Sequence, residues 1–311
     1  MFQPEHIVES PGAQEAAGKF NPGEVIIEHV SNSSLDHPLF HLPKIGGIDF
    51  SVTKHVLMLW VVSALVFFVV TLTVRRYLRQ DRQVPSGFMN ALEFLVVYLR
   101  DNVIEPNVGK KWVNTYAPLF LTFFVFILTA NLIGIIPVFD VLSLLNHSVL
   151  HAPEQSFFAR LLHGGVTATG NYNVTAGLAT VTFLAIIIAG SRAHGFVQHW
   201  KNLVPHGVPL WLYPLLIPLE IIGMLVRPFA LTMRLAANMT GGHIAILAIL
   251  SFVFIFFELF GQAAAMGVGL VLSLPVGVGL SGLELIVILV QAYVFTLLSA
   301  VFIGMAIHAH H

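Results

Sequence analysis

Long apolar runs, separated by short polar segments, make up most of this sequence. The apolar runs occupy residues 52–74, 116–136, 174–190, 209–260 and 267–307. A helix needs about 20 predominantly apolar residues to cross the ~30 Å hydrocarbon core of a bilayer, and each run approaches or exceeds that length. The pattern therefore predicts an all-α polytopic membrane protein with about five membrane-embedded helices.

The last two runs are longer than a bilayer is thick. A fully helical run over residues 209–260 would measure about 75 Å, so it must tilt or kink. Pro214, Pro218 and Pro228 are positions where a kink is expected. The final run contains several glycines, which allow helices to pack closely. We therefore expect two long, tilted helices that form a hairpin.

Residues 85–108 carry apolar positions at helical spacing, with charged residues on the opposite face. This stretch is too polar to span a bilayer, and it predicts an interfacial amphipathic helix. Four arginines precede it within eight residues, from Arg75 to Arg82. The positive-inside rule places that end in the cytoplasm. The interfacial helix is then cytoplasmic.

The same rule orients the rest of the chain. Residues 1–45 are polar and are expected outside the membrane, residues 46–311 form one integral membrane domain, and residues 137–173 form an external loop. Counting the crossings places the N-terminus outside and the C-terminus in the cytoplasm.

Composition supports this class. Of the 311 residues, 56% are hydrophobic and only 10% are charged, against about 25% charged in soluble domains. A net charge of −1 offers no global field for nucleic acid. The absence of cysteine excludes disulfides and thiolate metal sites. We expect no metal and no cofactor.

The fourth run contains ionisable residues that are expensive at bilayer depth. Glu220, Arg227 and Arg234 are each seven residues apart, so they form one stripe on a helix. Asn238 stays near that stripe, whereas His243 is roughly 180° round the helix and about 13 Å beyond Arg234. This arrangement suits a helix between two different neighbours.

Arg234 cannot lose its proton at any relevant pH. It can hold a nearby carboxyl in its ionised form by lowering the pKa of that group. Its partner is either an acid of this chain, which gives a structural salt bridge, or an acid of another subunit. Glu284 and Gln291 share a face of the last helix. With His243, Glu284 forms either a proton relay or a hydrogen-bonded pair that locks two helices.

The sequence RLAANMTGGH at residues 234–243 carries a specific resemblance. With Arg227-Pro228 before it, and Glu284 and QAYVF at 291–295 after it, the chain resembles the subunit a family of F-type ATP synthases from about residue 31 to 308. The resemblance implies a stator subunit of the F0 sector that is not catalytic by itself. It also implies a location in the cell's inner or plasma membrane. The expected partners are a ring of c subunits, the b subunits of a peripheral stalk, the rest of the complex and membrane lipid.

The resemblance also implies roles for individual residues. Arg234 would be the essential arginine that faces the carboxyls of the ring, and Glu220 would belong to a cytoplasmic half-channel. Many bacterial members have Glu and His exchanged between positions 243 and 284, which suits a relay between partners. The residues implied for the external half-channel are Asn173, Asn238, His243, Glu284 and Gln291.

Two other functions are compatible with the polar residues alone. An autonomous proton-coupled transporter would move ions without a partner, although no inverted repeat is evident. A structural anchor would use the polar groups only for packing. Proton and sodium ion also remain alternatives, because the ring would carry the ion site.

Overall fold

The computed structural model describes residues 51–79, 85–135, 167–201 and 209–308, together with Gly23 and Ile27. Its helices are α1 Lys54–Leu78, α2 Phe88–Leu99, α3 Glu105–Val108, α4 Val113–Ile135, α5 Tyr172–His194, α6 Phe196–Lys201, α7 Tyr213–Phe260, α8 Gln262–Val268 and α9 Leu274–Ile307. π-Helical turns at Arg100–Ile104 and Gly269–Ser273 join α2 to α3 and α8 to α9, and 3₁₀ turns occupy Ala168–Gly170 and Leu210–Leu212.

Five helical stretches within these ranges are long and apolar enough to cross a membrane: α1, α4, α5, α7 and the run Gln262–Ile307. The predicted all-helical class with about five spans is therefore confirmed. The predicted extracytoplasmic segment 1–45, apart from Gly23 and Ile27, and most of the predicted loop 137–173 lie outside the described residues.

The amphipathic stretch differs from the single helix that its pattern predicts. Its first half, α2, leaves large apolar side chains such as Phe94 exposed, as an interfacial helix would. The second half is interrupted by the π-helical turn, and there Val103, Ile104 and Val108 are fully buried. A π-helical turn widens the helix and shifts the following side chains round its axis. This part of the stretch therefore belongs to the protein core.

The described residues fall into two compact units. Of the described residues, those within 51–242 and 281–308 form the larger unit, and Gly23, Ile27 and His243–Leu280 form the smaller. The core of the larger unit is formed by α4, α5 and α9 with the end of the amphipathic stretch. Phe123 of α4 packs edge-to-face on Phe295 of α9, with ring centroids 5.5 Å apart.

Two polar contacts also join α5 to α9 within this apolar core. The hydroxyl groups of Thr182 on α5 and Ser299 on α9 lie 3.2 Å apart, and both side chains are buried. At the end of α9, the His194 Nε2 atom lies 2.9 Å from the Ile307 carbonyl oxygen. These contacts fix the register of α9 against α5.

A glycine allows α9 to pass close to the π-helical stretch. A Cβ atom added to Gly304 would collide with the backbone carbonyl of Asn107. Backbone cannot move aside as a flexible side chain can. Gly304 is therefore required for the docking of α9 on residues 100–108.

We expect Gly304→Ala to destabilise the protein by about 1–3 kcal/mol, the usual range for overpacking. The measurement is the midpoint of thermal unfolding of the purified protein in detergent. Gly282→Ala is the matched control, because a Cβ atom there meets nothing within 4 Å. Equal midpoints for the two variants would contradict this prediction.

In the smaller unit, one residue separates two helices. Gly261, with φ of 82°, lies between the end of α7 and the start of α8. This left-handed backbone favours glycine because it has no Cβ. Val253 packs against Gly269, with 3.6 Å between a Val253 methyl group and an ideal Cβ at Gly269.

The predicted hairpin of two long, tilted helices, formed by the apolar runs 209–260 and 267–307, stays a prediction.

Candidate functional site

Arg234 lies on a surface of α7 that is mostly apolar. Its side chain is exposed, and it makes no ion pair or hydrogen bond with any residue of the described ranges. Its chain neighbours Leu235 and Ala236 are fully buried, so α7 packs into its own unit through another face. The exposed surface of the helix includes Ile222, Leu225, Phe229 and Met233.

An exposed cation within a large apolar patch indicates a surface that another molecule covers. In a bilayer, such a guanidinium would need an anionic or strongly polar partner. The described part of the chain supplies none, so the alternative of a structural salt bridge finds no support there.

Asn238 and Gln291 form a direct contact between α7 and α9. The Asn238 side-chain N–H donates to the Gln291 Oε1 atom at 2.9 Å. Gln291 is 5% exposed, and its Nε2 atom is buried without a hydrogen-bond partner among the described residues. The structure therefore brings together two residues that the sequence places 53 positions apart.

Glu284 lies beside a glycine of α7. Its side chain is 5% exposed, and a Cβ added to Gly242 would lie 2.8 Å from Glu284 Oε1 and 3.1 Å from its Cδ. The missing side chain at Gly242 therefore provides the space in which the carboxyl group lies. Sequence reasoning did not find this role, although the Gly241-Gly242 pair within an apolar helix was a signal of close approach.

For the proton transport that the sequence resemblance implies, we expect Gly242→Ala to lower the rate several-fold, because the new methyl group displaces the Glu284 carboxyl by a few tenths of an ångström or more. The measurement is proton transport by the assembled complex in vesicles. Gly241→Ala is the control, since a Cβ there meets nothing within 4 Å. Equal transport by the two variants would argue against a role for the Glu284 position.

Asn173 lies in the first turn of α5, and its side chain is exposed. Its backbone N–H donates to Oδ1 of Asn171 at 2.8 Å, so Asn171 is the N-cap of the helix. Sequence reasoning missed Asn171, although an Asn before an apolar run is a helix-start signal. Thr240 of α7 donates to the Gly170 carbonyl at 3.5 Å, and this contact links α7 to the turn before α5.

Glu220 and Arg227 lie nearer the start of α7, and both side chains are half-buried. Glu220 has no ion pair or hydrogen bond within the described ranges. The Arg227 guanidinium lies over the ring of Phe302, 5.6 Å from its centroid. This cation–π contact fixes Arg227 against α9.

His243 is half-buried and belongs to the smaller unit. Glu284 belongs to the larger one. The relay between His243 and Glu284 therefore stays a prediction.

The fold and these side chains define a class: a polytopic helical membrane protein that holds charged and amide groups on its two longest apolar stretches. The chain belongs to the ATP synthase subunit a family, since the family model described as "ATP synthase A chain" matches residues 56–304. Members of this family are subunits of the F0 sector, the part of the ATP synthase complex that lies in the membrane.

Individual relatives agree over nearly the whole chain. It is 39% identical to the ATP synthase subunit a of Chlorobium phaeobacteroides, over 98% of this chain and 82% of that protein. It is 38% identical to the ATP synthase subunit a of Myxococcus xanthus, over 86% of this chain and 76% of that protein.

Proposed function

We propose that this chain is the stator subunit of the F0 sector and couples proton flow across the membrane to rotation of a c-subunit ring. The observation that carries the proposal is Arg234, an exposed arginine on an apolar face of α7 with no acidic partner in the described part of its own chain. A ring that presents a carboxyl group at bilayer depth is the partner that this surface fits.

The proposed mechanism uses two half-channels that do not meet. On the external side, protons reach the ring through a polar region that contains the joined Asn238–Gln291 pair and the Glu284 carboxyl beside Gly242. Asn173 and His243 complete this region in the proposal. A proton delivered there neutralises a ring carboxyl, which can then enter lipid at low cost.

Release occurs on the cytoplasmic side. After nearly a full turn of the ring, the carboxyl reaches the second half-channel, where Glu220 accepts its proton. Arg234 lies between the two regions and favours the ionised form of each carboxyl that arrives. Its permanent positive charge also repels protons, which prevents a direct leak from one half-channel to the other.

The proposal extends to partners and topology. The c ring and the b subunits of a peripheral stalk hold the chain in place, and the chain itself performs no covalent catalysis. The N-terminus lies outside and the C-terminus in the cytoplasm. One charge crossing 100 mV releases about 2.3 kcal/mol, so several protons are needed for each ATP.

A second function, autonomous proton-coupled transport, predicts a different result in one experiment. The purified chain is reconstituted into liposomes with and without the co-purified ring, and proton flux under an imposed potential is measured. We expect flux only when the ring is present. Flux of equal size through the chain alone would support the transporter.

A further inference from the structure

A cavity lies between α1, α2 and α4. It has a volume of about 710 Å³. Most of its lining is aliphatic or aromatic, with Val70, Leu92, Val96 and Phe126 among the residues that form it. Apolar surface of this kind binds water poorly. The cavity fits hydrocarbon chains.

A second, more polar cavity of about 330 Å³ adjoins it. Tyr77 and Met89 line both cavities, so the two spaces are neighbours. The polar cavity is also lined by Arg76 and Ser86. A guanidinium and a hydroxyl group are donors that bind phosphate oxygens.

Glu93 adds a charge of the opposite sign. It lines the apolar cavity, and its Oε2 atom is buried without a hydrogen-bond partner among the described residues. An unsatisfied buried acceptor is unfavourable, so a ligand that brings an N–H donor gains affinity here. Glu93 follows Met89 by one helical turn of α2, which places this acceptor close to the boundary between the two cavities.

The length of the combined groove matches one leaflet of a bilayer. Ser63 lines its apolar end and Arg76 its polar end, both on α1. Thirteen residues of helix measure about 20 Å, and one leaflet with its headgroups measures about 20–22 Å. The polar end coincides with the arginine-rich end of α1, which the sequence places at a membrane surface.

We propose that this groove binds one membrane phospholipid whose headgroup carries a primary ammonium. Arg76 and Ser86 hold the phosphate, Glu93 accepts a hydrogen bond from the ammonium, and an acyl chain lies along α1 in the apolar cavity. The argument is charge complementarity: a zwitterionic headgroup carries both charges a few ångströms apart, joined to a long apolar tail. This site is independent of Arg234 and of the proton pathway.

The test compares two phospholipids in the intact complex. The complex is reconstituted into vesicles that contain a photoactivatable ethanolamine phospholipid, or a choline phospholipid with identical acyl chains. After illumination, labelled peptides are identified by mass spectrometry. We expect labelling of residues 63–77 and 89–96, about fivefold stronger for ethanolamine, because choline has no N–H to donate to Glu93. Equal labelling by both lipids, or a protein segment cross-linked in the groove in place of lipid, would overturn the proposal.

Three variants divide the site into its parts. Glu93→Leu removes the acceptor and should bring the ethanolamine-to-choline ratio close to one. Arg76→Gln should lower labelling by both lipids several-fold. Arg75→Gln is the matched control, because Arg75 is exposed at the same end of α1 and lines neither cavity. If Arg75→Gln and Arg76→Gln give equal labelling, the phosphate assignment is wrong. The comparison of Arg75→Gln with Arg76→Gln tests the phosphate site even if Glu93→Leu does not assemble.

Discussion

ATP-driven proton pumping is expected to fall by about ten- to a thousandfold when Arg234 is replaced by alanine. A neighbouring positive charge lowers the pKa of a carboxyl group by about one to three units. Without Arg234, a ring carboxyl would keep its proton as it passes, and its release would slow by about ten- to a thousandfold. Pumping is measured by the fluorescence quenching of a pH-sensitive dye in inverted vesicles.

Two further variants separate charge, geometry and general damage. Arg234→Lys keeps a positive charge but loses the planar fork of donors, so it should recover only part of the activity. Arg227→Gln removes the arginine seven residues before Arg234, whose guanidinium packs on Phe302. This variant should lose much less pumping activity. Wild-type pumping by Arg234→Ala would refute the assignment. Equal losses in Arg234→Ala and Arg227→Gln would indicate a general effect on the helix.

The sequence predicted those features that depend on local pattern. A membrane span is a matter of run length and hydropathy, so all five spans were predicted, with ends within a few residues of those observed. Glu220 and Arg234 could be placed on the same face of one helix, because they are separated by two intervals of seven residues and each interval changes the direction of the side chain by only about 20°. The structure shows that helix to be continuous from Tyr213 to Phe260.

What the sequence did not predict depends on contacts between distant residues. The space for the Glu284 carboxyl exists because Gly242 lies opposite it, and α9 can dock because Gly304 meets the Asn107 carbonyl. No spacing rule within one helix reveals which glycine faces which neighbour. The π-helical turn at Arg100–Ile104 is also invisible to a pattern with a period of 3.6 residues, because it breaks that period.

The burial of Gln291 shows how the two kinds of information combine. Its place on the face of Glu284 follows from their seven-residue spacing, whereas its hydrogen bond with Asn238 required the packing of α9 on α7. A polar pair in an apolar interface fixes the register of two helices. The Asn238–Gln291 hydrogen bond can therefore both belong to the proposed proton pathway and hold α7 against α9. A variant at Gln291 would change helix packing as well as proton transport, so variants at Glu284 are the better test of function.

Loss of the carboxyl at position 284 is expected to be the next most severe change. Glu284→Gln should lower proton transport about a hundredfold or more, the usual contribution of a positioned acid or base, while the amide keeps nearly the same volume. Glu258→Gln is the matched control, because the Glu258 side chain is exposed on the smaller unit. Both variants are compared by the initial rate of proton transport in vesicles.

The exchange of the two proposed relay partners gives the sharper result. His243→Glu and Glu284→His should each reduce transport strongly, and the double variant should retain more activity than either, since one acid and one imidazole are then still present. The imidazole ring at position 284 would take the space beside Gly242 in which the Glu284 carboxyl lies. A double-mutant cycle on transport rates measures the coupling. Losses that simply add would show that the two positions act separately, and Glu284 would then serve the external half-channel without His243.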